Sequence, residues 1–102
     1  MNRGDIWLAE VGRKRRPVLV LTRPEVIDVR MLVTVAEIST TIRKIGAEVE
    51  FDYRDAGLDH ASAINCDGLH TVAQASLATR IGSVGNETME RVCAAISYAL
   101  GC

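Results

Sequence analysis

Arg13-Lys14-Arg15-Arg16-Pro17-Val18-Leu19-Val20-Leu21-Thr22 drives a block of cations straight into an apolar strand. The unbroken Val-Leu-Val-Leu has no polar alternation, so it reads as a strand buried on both faces. Arg16, tied to that strand by Pro17, stands at the rim of a rigid sheet, where a guanidinium is well placed to grasp a phosphate. A run of Lys and Arg standing alone is more often just a solvated loop. The rest of the chain has to separate the two.

Working outward, Gly4 to Val11 alternates loosely and forms a first strand, joined to Pro17–Leu21 by a short turn over 12–15. Val29 to Ile38 is rich in β-branched residues and reads as a long third strand. Ala47-Glu48-Val49-Glu50-Phe51-Asp52 alternates strictly, placing Ala47, Val49 and Phe51 inward and three acids outward. Further strands follow at Ser62–Cys66, His70–Ala73 and Arg80–Val84. The spacing of Met89, Val92, Cys93, Ile96 and Leu100 then predicts one helix, with Asn86 as N-cap, Glu87 and Glu90 in the first turn and Gly101 as its stop. Many short strands and a terminal helix indicate a mainly β fold, a small barrel or curled antiparallel sheet closed by a C-terminal α-helix.

At 102 residues the chain is read as a single domain, with 48% apolar and 25% charged residues, as in soluble globular proteins. No apolar stretch approaches membrane-spanning length, and Arg3 and Asp5 stand where a signal peptide would turn apolar, so a cytoplasmic protein with no membrane partner is expected. Cys66, Cys93 and Cys102 are odd in number and form no CxxC pair, which argues against a disulfide framework or a zinc site. Cys93 reads as a small core residue on the helix, and Cys102 as a residue able only to crosslink molecules in vitro. The net charge of −1 hides an asymmetry. Residues 1–44 hold nine Lys/Arg against five Asp/Glu, and residues 45–102 hold three against eight, so a basic face for nucleic acid is possible despite the sum.

Catalytic chemistry has few candidates. His60 and His70 are isolated in the sequence and support no metal site, although a two-histidine acid–base ribonuclease is imaginable. No phosphate-binding glycine fingerprint is present. Ile38-Ser39-Thr40-Thr41-Ile42-Arg43-Lys44 gathers hydroxyls and cations at a strand end, groups that donate to phosphate oxygens, although it also reads as an ordinary turn. Asn65-Cys66-Asp67-Gly68 reads as a strand running into a turn, with Asp67 a carboxylate usable as a base.

Taken together, Arg3-Gly4-Asp5-Ile6-Trp7, Arg16-Pro17-Val18-Leu19-Val20-Leu21-Thr22, Ile38-Ser39-Thr40-Thr41 and Asn65-Cys66-Asp67 resemble the MazF/PemK/Kid toxins of bacterial toxin–antitoxin systems, over roughly residues 2–100. The resemblance implies an SH3-like, CcdB/MazF-like fold and a metal-independent endoribonuclease that needs no cofactor. In such enzymes the ribose 2′-hydroxyl of single-stranded RNA attacks the adjacent phosphorus, leaving a 2′,3′-cyclic phosphate and a 5′-hydroxyl. Arg16 matches the family's catalytic arginine. Ser39 stands where many members carry a catalytic threonine, keeping the hydroxyl but losing the methyl that restricts its rotamer, and Thr40 in the same turn is the other residue able to carry that role. Asp67 matches an aspartate proposed as general base in Kid-like members. The arginine acid that precedes it there by two positions is Asn65 here, a departure by which the acid role shifts to Arg16 or is lost. An arginine is itself a poor proton donor at neutral pH, so Arg16 is better suited to stabilising phosphoryl charge than to acid catalysis.

Arg13, Lys14, Arg15, Thr40, Thr41, Arg43, Lys44 and Asn65 complete the expected RNA-binding set. The resemblance also implies a homodimer whose interface forms the RNA groove, and a cognate antitoxin whose acidic, extended tail occupies it. Two other readings stay open. CcdB-like toxins share the fold but bind gyrase through a tryptophan near the C-terminus, whereas the only tryptophan here is Trp7. A homologue that binds RNA or antitoxin without cutting is the other, kept open by Ser39 and Asn65.

Overall fold

The computed structural model describes residues 1–11, 13–27, 29 and 31–101. Six strands form one antiparallel sheet, β1 (Asp5–Val11), β2 (Lys14–Val20), β3 (Leu32–Ser39), β4 (Glu48–Glu50), β5 (Ala63–Ala73) and β6 (Leu77–Ser83). Their order is β4-β5-β3-β2-β1-β6, so the sheet is curled but open, with β4 and β6 at its edges. A short helix α1 (Pro24–Ile27) follows β2, and α2 (Asn86–Leu100) closes the chain. The expected architecture of a curled antiparallel sheet with a C-terminal helix is the one observed.

Val18, Leu19 and Val20 are each 0% exposed, so the central strand is buried on both faces, as its unbroken apolar run predicts. Alternation sends Leu19 to one face, with Ile6, Ala36, Ile38, Ile64 and Cys66, beneath Met89, Val92 and Ala95 of α2. Val18 and Val20 go to the other, with Ala9, Val11, Val33, Val35 and Leu77. Each fully buried aliphatic side chain contributes about 1.5–3 kcal/mol, so both faces hold β2 in place.

Several boundaries differ from the sequence reading. β2 begins at Lys14, not Pro17, because Arg15 and Lys14 pair with Glu10 and Val11 in a tight hairpin. Part of the expected 12–15 turn, Gly12, lies outside the described residues. β3 starts at Leu32, while Val29 and Met31 before it are exposed. The two expected strands at 62–66 and 70–73 are one, β5, whose ladder to β3 shifts register between Ala36 and Glu37. A β-bulge thus absorbs the Asp67-Gly68 pair that reads as a turn. The last strand lies at Leu77–Ser83 instead of Arg80–Val84, and β4 is only three residues long.

In α2 the N-cap is Gly85, with Asn86 already inside the helix and no side-chain cap. Cys93 is exposed, not in the core, and Leu100 is 61% exposed, because the buried stripe runs through Met89, Val92 and Ala95 instead. Gly101 ends the helix in the left-handed region at φ 73°, donating its N–H to the Ser97 carbonyl. Cys66 is the cysteine that is buried, and burial, followed by the charges of Asp67 and Cys93, pushes its thiol up to about 11. Cys102 lies outside the described residues.

Candidate RNA-cleavage site

Arg16 occupies the middle of β2, where Ala9 of β1 pairs with it. Two residues on, Val18 pairs with Glu37 of β3, so alternation puts Arg16, Val18, Glu37 and Ser39 on one face of the sheet. Val35 pairs with His70 of β5, which adds His70 to that face. The apolar cluster of Val18, Val20, Val33 and Val35 occupies the rest of the face, and the polar groups gather at its end.

There the Arg16 Nη1 lies 2.6 Å from Glu37 Oε1. The other oxygen of the same carboxylate, Oε2, lies 3.1 Å from His70 Nε2. Arg16 Nε is buried with no hydrogen-bond partner among the described residues. The guanidinium is thus held on one nitrogen while its side chain remains 27% exposed. A Cβ at Gly68 would come within 2.6 Å of Glu37 Oε2 and 2.9 Å of Asn65 Nδ2, so the bulge glycine leaves room for the carboxylate.

Ser39 ends β3, and its Oγ accepts the Thr41 backbone N–H at 3.0 Å, leaving the hydroxyl proton free to donate outward. Thr40 and Thr41 are exposed beyond it. Thr40 also lines a cleft with Pro17, Leu58, Asp59, His60 and Ser62. Asp67 is exposed at the bulge, and its N–H is held by Asn65 Oδ1 at 3.0 Å. Asn65 pairs with Glu37 on one side and Glu48 on the other, and its Oδ1 also accepts from Arg43 Nη2 at 3.3 Å.

The cations divide into two groups. Arg13, Lys14 and Arg15 are exposed on the β1–β2 hairpin. Arg43 and Lys44 instead point back to β4: Arg43 Nε meets Glu48 Oε2 at 2.7 Å, and Lys44 Nζ meets Glu50 Oε2 at 3.1 Å. The Glu48 side chain is only 3% exposed, so it does not face solvent as its alternating strand predicts. Burial works to raise its carboxyl, but hydrogen bonds from the Arg43 side chain and backbone, the Arg43 charge and the Lys44 N–H outweigh it and hold the pKa below the usual value.

Glu37 is not among the sequence candidates, and His70 enters there only as half of an imagined pair with His60. The signal for Glu37 is a single acid inside Val33-Thr34-Val35-Ala36-Glu37-Ile38, a run otherwise suited to burial. His70, isolated in sequence, is brought to Glu37 only by the β3–β5 register.

Residues 2–100 match the family described as the PemK-like, MazF-like toxin of type II toxin-antitoxin system. The chain belongs to this family. Among its relatives, the protein named "Probable endoribonuclease MazF5" of Mycobacterium tuberculosis is 35% identical over 98% of this chain and 93% of its own length. The solved structure of Mycobacterium tuberculosis toxin MazF-mt6 superposes with a TM-score of 0.89 at 34% identity, covering 95% of this chain and 96% of that one. A mycobacterial endoribonuclease solved in complex with its cognate antitoxin also reaches a TM-score of 0.89, at 25% identity over 99% of this chain and 95% of its own. Within the family fold, the Arg16–Glu37–His70 chain lies on the sheet face opposite α2.

Proposed function

We infer that this protein is an endoribonuclease toxin that cuts single-stranded RNA and is neutralised by a cognate antitoxin. The observation that carries this reading is Arg16, a guanidinium fixed by Glu37 yet partly open to solvent, in a chain that matches the toxin family over residues 2–100. Negative charge grows on the phosphoryl oxygens as an RNA 2′-hydroxyl attacks in line, and a preorganised cation stabilises that charge. RNA carries its own nucleophile, so the reaction requires no metal-activated water. The products are a 2′,3′-cyclic phosphate and a 5′-hydroxyl. In this proposal Arg16 stabilises the phosphoryl oxygens, Ser39 donates its hydroxyl to one of them, and Asp67 accepts the 2′-hydroxyl proton.

Arg13, Lys14 and Arg15 draw in the RNA backbone, a role that carries no sequence information. Thr40, Thr41 and Asn65 border the path of the strand, while Arg43 and Lys44 act after part of their charge is met by Glu48 and Glu50. A second copy of the chain completes the groove, and the exposed Val29, Met31 and Leu32 offer apolar surface of the kind such a contact covers. The acidic tail of the antitoxin competes for the same groove. RNA as substrate places the toxin's action in the cytoplasm.

The test is incubation of purified protein with single-stranded RNA in EDTA, followed by mapping of fragment ends. Discrete cuts bearing 5′-hydroxyls are expected. Intact RNA together with inhibited gyrase identifies a CcdB-like poison, and intact RNA that is nonetheless bound identifies a non-cleaving homologue.

A further inference from the structure

A carboxamide does not exchange a proton in the way a general acid must, so Asn65 leaves the departing 5′ oxygen without a donor. His70 is placed to fill that gap. Its Nε2 is held at 3.1 Å by Glu37 Oε2, while the same carboxylate holds Arg16 Nη1 at 2.6 Å through Oε1. The imidazole and the phosphate-binding cation are therefore within the span of one carboxylate. His70 is 37% exposed, and its Nδ1 makes no hydrogen bond to the described residues, so the ring is fixed at one nitrogen and open at the other.

Charge favours the same assignment. Arg16 and Glu37 cancel each other, and the cluster offers net positive charge to a phosphodiester only when the ring is protonated. Glu37 supplies the counter-charge for that form. Imidazole is also the side chain best matched to proton transfer near neutrality.

We propose that His70 is the general acid of the cleavage and that Glu37 is the residue positioning both the ring and Arg16; this rests on the RNA-cleaving reading above. As the 2′ oxygen bonds to phosphorus, its proton passes to Asp67. The bond from phosphorus to the 5′ oxygen breaks, with its electron pair going to that oxygen. Nδ1 gives its proton to the 5′ oxygen, producing the 5′-hydroxyl and a neutral imidazole. Solvent then takes the proton from Asp67 and reprotonates His70.

The test uses the full chain and a short RNA containing a mapped cut site, made once with the natural 5′ oxygen at the scissile bond and once with sulfur in its place. A thiolate leaves without protonation, so it bypasses a general acid. His70→Gln is expected to slow cleavage of the natural RNA by about 10²-fold or more and to cut the sulfur substrate at nearly the wild-type rate. Glu37→Gln, a positioning change that loosens both the ring and Arg16, is expected to show a loss that sulfur relieves only in part. Binding of an uncleavable 2′-deoxy strand by both variants verifies that the site is folded. Equal loss on the two substrates, or no loss on either, overturns the assignment. A wild-type protein that cuts neither substrate overturns the ribonuclease reading, and this proposal with it.

Discussion

Arg16 and Glu37 meet at 2.6 Å across the β2–β3 ladder, so the cation of the site is positioned by a neighbouring strand. The ion pair is partly exposed and adds little to stability on its own. Its consequence is geometric, because a guanidinium anchored through Nη1, with Nε buried, keeps one orientation while the rest of its head stays partly open to solvent.

Replacing Arg16 with alanine is therefore expected to lower single-turnover RNA cleavage by about 10²–10³-fold, as loss of one preorganised donor does. Arg16→Lys should recover little, since a lysine is a point charge without the planar fork. Near-wild-type cleavage by Arg16→Ala would remove Arg16 from the chemistry.

Ser39 offers a hydroxyl whose oxygen is already fixed by the Thr41 N–H at 3.0 Å. Ser39→Ala should slow cleavage by about tenfold, the equivalent of one lost hydrogen bond of about 1.4 kcal/mol. Ser39→Thr should retain activity, because the donor is kept. Equal rates for all three proteins would show that the hydroxyl is idle.

Arg43 and Glu48 make two contacts at 2.7 Å, one through the Arg43 side chain and one through its backbone N–H. Arg43→Ala removes the first and keeps the second, and is expected to destabilise the fold by about 1–3 kcal/mol at pH 7. The sign with pH follows from the lowered Glu48 carboxyl. A group depressed on folding contributes above its unfolded pKa, near 4.5, and loses that contribution as pH falls through the folded value. Urea midpoints for wild type and variant should thus converge as pH drops below about 4. A gap that stays constant down to pH 3 would contradict the pairing.

Gly82 lies on β6 where an added Cβ would stand 1.9 Å from the Ala56 carbonyl oxygen. Backbone cannot yield as a flexible side chain does, so Gly82→Ala should cost about 3 kcal/mol. Gly85, with nothing within 4 Å, is the control. Gly85→Ala should cost less than about 1 kcal/mol, through the weaker N-cap alone. Thermal melts of the two variants decide the point, and equal shifts would refute the close approach.

Much of this architecture was legible in the chain before any contact was known. Val18-Leu19-Val20 announced a strand covered on both sides, and all three residues are fully buried. The helix and its Gly101 stop were visible from spacing, although the stripe turned toward Ala95 and left Cys93 outside. A helical period defines a face only to within a residue or so, and small residues such as Ala95 carry little hydropathic signal. Glu48 misled for a related reason: alternation predicts direction out of the sheet, not whether an Arg43 folds back to cover it.

What the sequence determined by itself was the mainly β fold class, the doubly buried central strand, the C-terminal helix and the family resemblance, because periodicity and short motifs are local properties. Tertiary structure alone decided that Glu37 touches both Arg16 and His70. His70 lies 33 positions from Glu37, and the β3–β5 register brings them together beside the bulge at Asp67-Gly68. Register is a property of paired strands, set by how both faces pack, and a shift of one residue would have sent Glu37 to the opposite face.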